Sequence, residues 1–261
     1  MLKVRVIPTL LWKSVGLVKG IGFDSWRRVG PVIPAVKVYN TRDVDELVLV
    51  DITASKEGGE PDAESINDFA DECFVPFTVG GGITKIEHIQ MLLRAGADKV
   101  SINSSAFRND RLIEEAAKRF GSQCIVASID AREVSPGKYE CFSHSGTVAT
   151  GKSPAAWACE LEQRGAGEIL ITSIERDGAM IGYDLTLTSS VVSVVNIPVI
   201  ASGGAGTYEH MVTVLKQAGA SAVAAASMFH FTEQTPAGAK QALAKAGLPV
   251  RAGFSSLPTT R

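Results

Sequence analysis

The segment Pro76-Phe-Thr-Val-Gly-Gly-Gly82 returns 122 residues later as Pro198-Val-Ile-Ala-Ser-Gly-Gly204. In both copies a proline is followed by four small or apolar residues and a Gly-Gly pair. The echo continues upstream, where Glu46-Leu-Val-Leu-Val-Asp51 answers Glu168-Ile-Leu-Ile-Thr-Ser173 at the same offset. Downstream, Ala95-Gly-Ala-Asp-Lys-Val-Ser-Ile102 answers Ala218-Gly-Ala-Ser-Ala-Val-Ala-Ala225. A long internal repeat of this kind fixes the architecture before any single motif is read. The chain is built twice.

Eight short apolar runs rich in Val and Ile recur, at residues 4–10, 47–52, 77–79, 100–102, 125–129, 169–174, 199–201 and 222–226. Near-continuous apolarity suits strands covered on both faces, and segments of helical period lie between many of them, at 85–95, 110–120, 155–164 and 208–218. Alternating strands and helices make a parallel sheet. Eight units, arranged as four plus four, predict one α/β domain over residues 1–250, a closed (βα)8 TIM barrel of two duplicated half-barrels. An open doubly wound sheet is the alternative. Residues 251–261 show no periodicity and read as a flexible C-terminal tail. Two stretches exceed an ordinary loop, 11–30 and 132–152; the second has a turn at Ser135-Pro-Gly137 and a small hairpin expected over 138–145.

At 261 residues the length matches a single barrel, which typically needs about 250. A net charge of −2 gives no broad basic field for nucleic acid. No stretch approaches the roughly 20 apolar residues of a membrane span. Cys73, Cys124, Cys141 and Cys159 lack CxxC spacing and read as buried thiols in a reducing compartment, so a cytoplasmic location is expected and no metal or cofactor.

In such a barrel, glycines at strand ends let backbone amides approach a phosphate, and the next helix start adds partial positive charge. Gly80-Gly-Gly82 with Ser104-Ser105, and Gly203-Gly204 with Ala226-Ser227, form two such pairs on opposite sides of one mouth. Their alternative role is simply to permit tight turns. A phosphorylated small molecule carrying a phosphate at each end is the expected ligand. Asp130 ends one strand and is the better candidate for proton transfer. Asp51 ends another and is equally suited to an ion pair with Lys19. Asp177-Gly178 lies at the same rim. The repeat counterpart of Asp130 is Leu11, so one of two symmetric acids is absent.

At the opposite end, Arg5, Glu46, Lys99 and Glu168 stand at the starts of four strands. Two cations and two anions at equal depth could close the barrel floor as a ring of ion pairs, a costly arrangement for stability alone. The functional alternative is a gate for a small neutral molecule.

Together these residues resemble the cyclase subunit of imidazole glycerol phosphate synthase, a glutamine amidotransferase of histidine biosynthesis. The resemblance covers nearly the whole chain and is carried by Asp51-Ile-Thr-Ala-Ser55, Phe77-Thr-Val-Gly-Gly-Gly-Ile83, Asp98-Lys-Val-Ser-Ile-Asn103, Thr172-Ser-Ile-Glu-Arg-Asp-Gly178, Ile200-Ala-Ser-Gly-Gly-Ala-Gly206 and Phe229-His-Phe231. It implies a lyase-type barrel docked in a heterodimer on a glutaminase subunit, whose ammonia crosses a gate matching Arg5, Glu46, Lys99 and Glu168. Asp98 matches a position beside that interface. The implied phosphate ligands are Gly82, Asn103, Ser104, Gly178, Gly204 and Ser227, and Asp130 matches one of two catalytic aspartates. The other position is Leu11, and the first loop departs as well, with Trp12 and Asp24-Ser-Trp-Arg-Arg28 expected to close over the mouth. An intact floor with an altered first strand end is similar to a paralogous branch in surface-polysaccharide pathways. There the resemblance implies that glutaminase and barrel supply ammonia to a third protein, which amidates a nucleotide sugar. The other readings are a working cyclase, with Asp51 or Asp177 replacing the missing acid, and a non-catalytic scaffold that activates its glutaminase.

Overall fold

The computed structural model describes residues 3–14 and 16–251. The expected tail therefore lies, from residue 252 onward, outside the described residues. The chain begins with β1 (Arg5–Lys13), the hairpin strands β2 (Gly16–Ile21) and β3 (Asp24–Gly30), and helix α1 (Val32–Thr41). It continues through β4 (Leu47–Asp51), α2 (Ala54–Glu57), α3 (Ala63–Ala70), β5 (Phe77–Gly80), α4 (Ile86–Arg94), β6 (Lys99–Ile102) and α5 (Leu112–Phe120). The second half runs through β7 (Ile125–Ser135), β8 (Lys138–Ser143), β9 (Val148–Ala149), α6 (Pro154–Gln163), β10 (Glu168–Ser173) and α7 (Leu185–Val192). It ends with β11 (Val199–Ser202), α8 (Tyr208–Gln217), β12 (Ala222–Ala225), α9 (Ser227–Phe231) and α10 (Pro236–Lys245).

All eight apolar runs are strands. β1 pairs in parallel with β12 on one side and β4 on the other, and β7 pairs in parallel with β10. Those pairings close the sheet into a barrel and exclude the open alternative. Side chains alternate across each strand, so every run feeds two cores. Ile7, Val48, Val126, Leu170, Ile200, Ala222 and Ala224 form a small cluster that fills the barrel. A larger cluster, with Leu10, Leu47, Phe77, Ile89, Trp157 and Leu187 among its fully buried members, lies between strands and helices.

The duplication is visible atom by atom. A Cβ on Gly81, at φ +108°, would stand 2.4 Å from the Asp51 carbonyl oxygen; one on Gly203, at φ +83°, would stand 2.6 Å from that of Ser173. Both corners require glycine, because a side chain meets fixed backbone as well as a left-handed conformation. The helices that follow also start alike. His210 Nδ1 accepts from Gly206 N at 3.2 Å while Thr207 accepts from His210 N, and His88 Nδ1 is 3.3 Å from Thr84 N.

The two long stretches are strands rather than loops. Residues 11–30 extend β1 to Lys13 and add the β2–β3 hairpin: residues 16–18 pair antiparallel with the end of β1, and β2 pairs antiparallel with β3. β7 likewise runs on to Ser135, and the hairpin expected over 138–145 is instead two: β7 turns at 136–137 into β8, which pairs with β9. Of the four free cysteines only Cys141 is buried; Cys73, Cys124 and Cys159 sit part-way out, two of them on helix-to-strand turns, which corrects the expectation of buried thiols. Among the described residues, no helix is long and apolar enough to cross a membrane.

Candidate functional site

Every barrel strand delivers its C-terminal end to one mouth, a cavity of about 380 Å³. It gathers Leu11, Asp51, Asp130, Asp177 and Lys19. The residues expected to hold phosphate, Gly82, Asn103, Ser104, Gly178, Gly204 and Ser227, all line the same cavity. β1 enters it with alternating side chains: Thr9 and Leu11 face in, while Trp12 faces the helix layer and meets Phe69 edge-on at 5.4 Å between ring centroids. Trp12 is thus no part of the mouth, contrary to expectation. Trp26, from the segment 24–28 expected there, does line it, and Phe23 joins it from the tip of the same hairpin.

Asp130 is the carboxyl group most altered by its surroundings. Burial raises its pKa to about 7, the negative charge of Asp177 pushes the same way, and a hydrogen bond from Asn103 Nδ2 at 2.7 Å opposes them. Such a group can both give and take a proton near neutrality. Asp51 is not paired with Lys19. Its Oδ1 accepts from Thr53 N, Thr53 Oγ1 and Ala54 N at 2.8–3.1 Å, which commits it to the start of α2. Lys19, almost fully buried, pairs with Asp177.

The hairpin docks over the mouth through several contacts. Gly22 N donates to the Asp177 carbonyl at 2.8 Å, and the Arg27 guanidinium lies 3.4 Å from the Phe231 ring centroid. A Cβ on Gly146 would meet Phe23 at 3.1 Å, so the β2–β3 and β8–β9 tips touch. That second tip is anchored by His144 N donating to Ser104 Oγ at 2.8 Å and Ser145 Oγ donating to Ile52 O at 3.0 Å. Phe23 and Ser145 were not singled out from the sequence, whereas Trp26 lies in the segment expected to close over the mouth. Phe23 depends on the β2–β3 hairpin, which was not expected, and Ser145 on the turn between β8 and β9, at the end of the hairpin expected over 138–145.

On the floor, Arg5, Glu46, Lys99 and Glu168 form a closed four-membered ring. Arg5 Nη1 lies 2.8 Å from Glu46, Arg5 also pairs with Glu168, and Lys99 Nζ reaches Glu46 and Glu168, each at 3.1 Å. Burial works against the charge on Arg5, but the hydrogen bonds and charges of Glu168 and Glu46 outweigh it and hold the guanidinium above its ordinary range. Both glutamates are buried, whereas both cations keep some solvent contact. Asp98 is exposed beside this floor, and its Oδ2 accepts from Phe77 N at 2.8 Å.

The barrel thus has paired strand-end glycine corners, three aspartates in its mouth of which Asp130 is raised toward neutrality, and a duplicated backbone. The model of the family described as histidine biosynthesis protein matches residues 5–235, the span that holds all of these features, and the chain belongs to that family.

Proposed function

We propose that this chain is the barrel subunit of a glutamine amidotransferase complex resembling imidazole glycerol phosphate synthase, diverged from its cyclase. In this reading a separate glutaminase docks on the floor and ammonia passes the ring of Arg5, Glu46, Lys99 and Glu168. It then leaves at the mouth for a third protein that amidates a nucleotide sugar in surface-polysaccharide synthesis.

The observation that carries the reading is Leu11. It faces the mouth from the end of β1, where a second carboxylate would have to stand opposite Asp130, and an aliphatic side chain transfers no proton. Each substitute acid has one oxygen committed elsewhere: Asp51 Oδ1 to the start of α2 and Asp177 Oδ2 to Lys19. The floor ring, with each charge paired twice, supports the conduit half of the proposal.

The test feeds purified protein with an ammonium salt and the ribulosyl precursor. Ring closure is expected to run on the order of 10²-fold or more below that of a family cyclase, while the cognate glutaminase is still stimulated. Full-rate conversion, or wild-type growth of a complemented histidine auxotroph, would sink the proposal in favour of a working cyclase. Stimulated glutaminase from which ammonia reaches no acceptor would support the scaffold instead.

A further inference from the structure

Asn103 directly follows β6 at the cradle where the resemblance implies a phosphate ligand, and its side-chain amide holds Asp130. Nδ2 donates to Asp130 Oδ2 at 2.7 Å, and Oδ1 is buried without a hydrogen-bond partner. The oxygen edge of the amide is therefore a free acceptor, beside the second hydrogen of Nδ2. Phosphate oxygens are acceptors too, so this edge repels them and suits an N–H donor such as ammonia. The neighbouring Ser104 Oγ accepts from His144 N, and its own O–H is left as a donor.

We propose that the Asn103 side chain is a positioning group for Asp130: it fixes the carboxylate with one amide hydrogen and offers its amide oxygen to a donor in the mouth, while any phosphate at the cradle is left to backbone amides. The inference deepens the reading of the same site given above, because a conduit that discharges ammonia beside Asp130 needs an acceptor there. Its physical content is separate. A hydrogen bond donated to a carboxylate favours the charged form and lowers its titration midpoint. The groups facing Asp130 from other elements are Asp177, which raises that midpoint, Lys19, which neutralises Asp177, and Cys141 of β8, whose thiol burial and the Asp130 charge together push up to about 12. Asp51 lines the same cavity from β4.

The experiment titrates the Asp130 carboxyl carbon by NMR in the free protein, assigned with Asp130→Asn, and needs no substrate, ammonia or partner. Failure of the conduit reading therefore leaves it intact, and the reverse holds. Asn103→Ala is expected to move the midpoint upward by about one pH unit or more, the size of one hydrogen bond to a charged group. The nearly isosteric Asn103→Leu provides the same reading if the alanine variant does not fold. A midpoint that stays within about 0.3 of the parent's, or moves down, in a folded variant overturns the proposal.

Discussion

Lys19 and Asp177 form a buried ion pair that fastens the β2–β3 hairpin to the loop after β10. Removing one partner of such a pair leaves an uncompensated charge in a poorly solvated place, which is more costly than the pair is stabilising. Lys19→Met is accordingly expected to lower stability by about 2–4 kcal/mol in urea unfolding. It should also release the hairpin, read as faster proteolytic nicking between Asp24 and Arg28. A variant as stable and as resistant as the parent would show that the hairpin is held by other contacts.

Asp130 imposes a pH dependence whose sign follows from its raised pKa. Between its ordinary value of 3.8 and about 7, the folded protein keeps a proton that the unfolded chain releases. Stability attributable to this group therefore falls as pH rises through that window, and the loss is complete above it. Asp130→Asn removes the effect. The variant should be more stable than the parent by on the order of 2 kcal/mol at pH 8, with the two converging near pH 4, as measured by chemical denaturation across the range.

Gly81 and Gly203 should fail in the same way. Each has a positive φ and a carbonyl oxygen within 2.6 Å of the Cβ that alanine would bring. Either alanine substitution is expected to cost about 2–4 kcal/mol in equilibrium unfolding. Unequal costs would mean that one half of the barrel has relaxed around its corner.

Glu46→Gln opens the floor ring at a buried anion bonded to both Arg5 and Lys99. Because both cations retain solvent contact, the expected loss is about 2–3 kcal/mol, below that of a fully buried pair. Thermal unfolding measures it. The same variant should alter the delivery of glutaminase-derived ammonia while leaving ammonium-fed reactions unchanged.

Leu11→Asp restores a carboxylate to the inward face of β1. Cyclase turnover should rise by on the order of 10² or more, read in a single-turnover assay with the ribulosyl precursor, provided that the mouth still holds its two phosphates. No gain would place the defect in the hairpin that carries Phe23 and Trp26.

Much of the architecture was legible in the sequence, because both of its signals are local and repeated. Val- and Ile-rich runs marked eight strands, and the repeated Gly-Gly corners marked where they end. The floor ring was readable because all four charges stand at, or one residue before, a strand start. What escaped depends on partners distant in sequence. The β2–β3 hairpin has no strong turn signal, and Phe23 and Ser25 adopt left-handed backbone without being glycine. Asp51 looked like an acid aimed at the mouth because nothing in its type reveals that Thr53 and Ala54 consume it. The pair His88 and His210, 122 residues apart, could have been found from the repeat, since both stand where a helix begins.

Strand β1 is gripped from three sides: Leu11 stands opposite Val50 of β4 and Val18 of β2, while Pro8 stands opposite Ala225 of β12. A slip of one residue would drive the Trp12 indole into the cavity and break all three ladders at once. Chemistry at position 11 can therefore be exchanged by point substitution but not by insertion or deletion nearby. The scaffold thereby keeps its own geometry independent of which side chain stands at position 11.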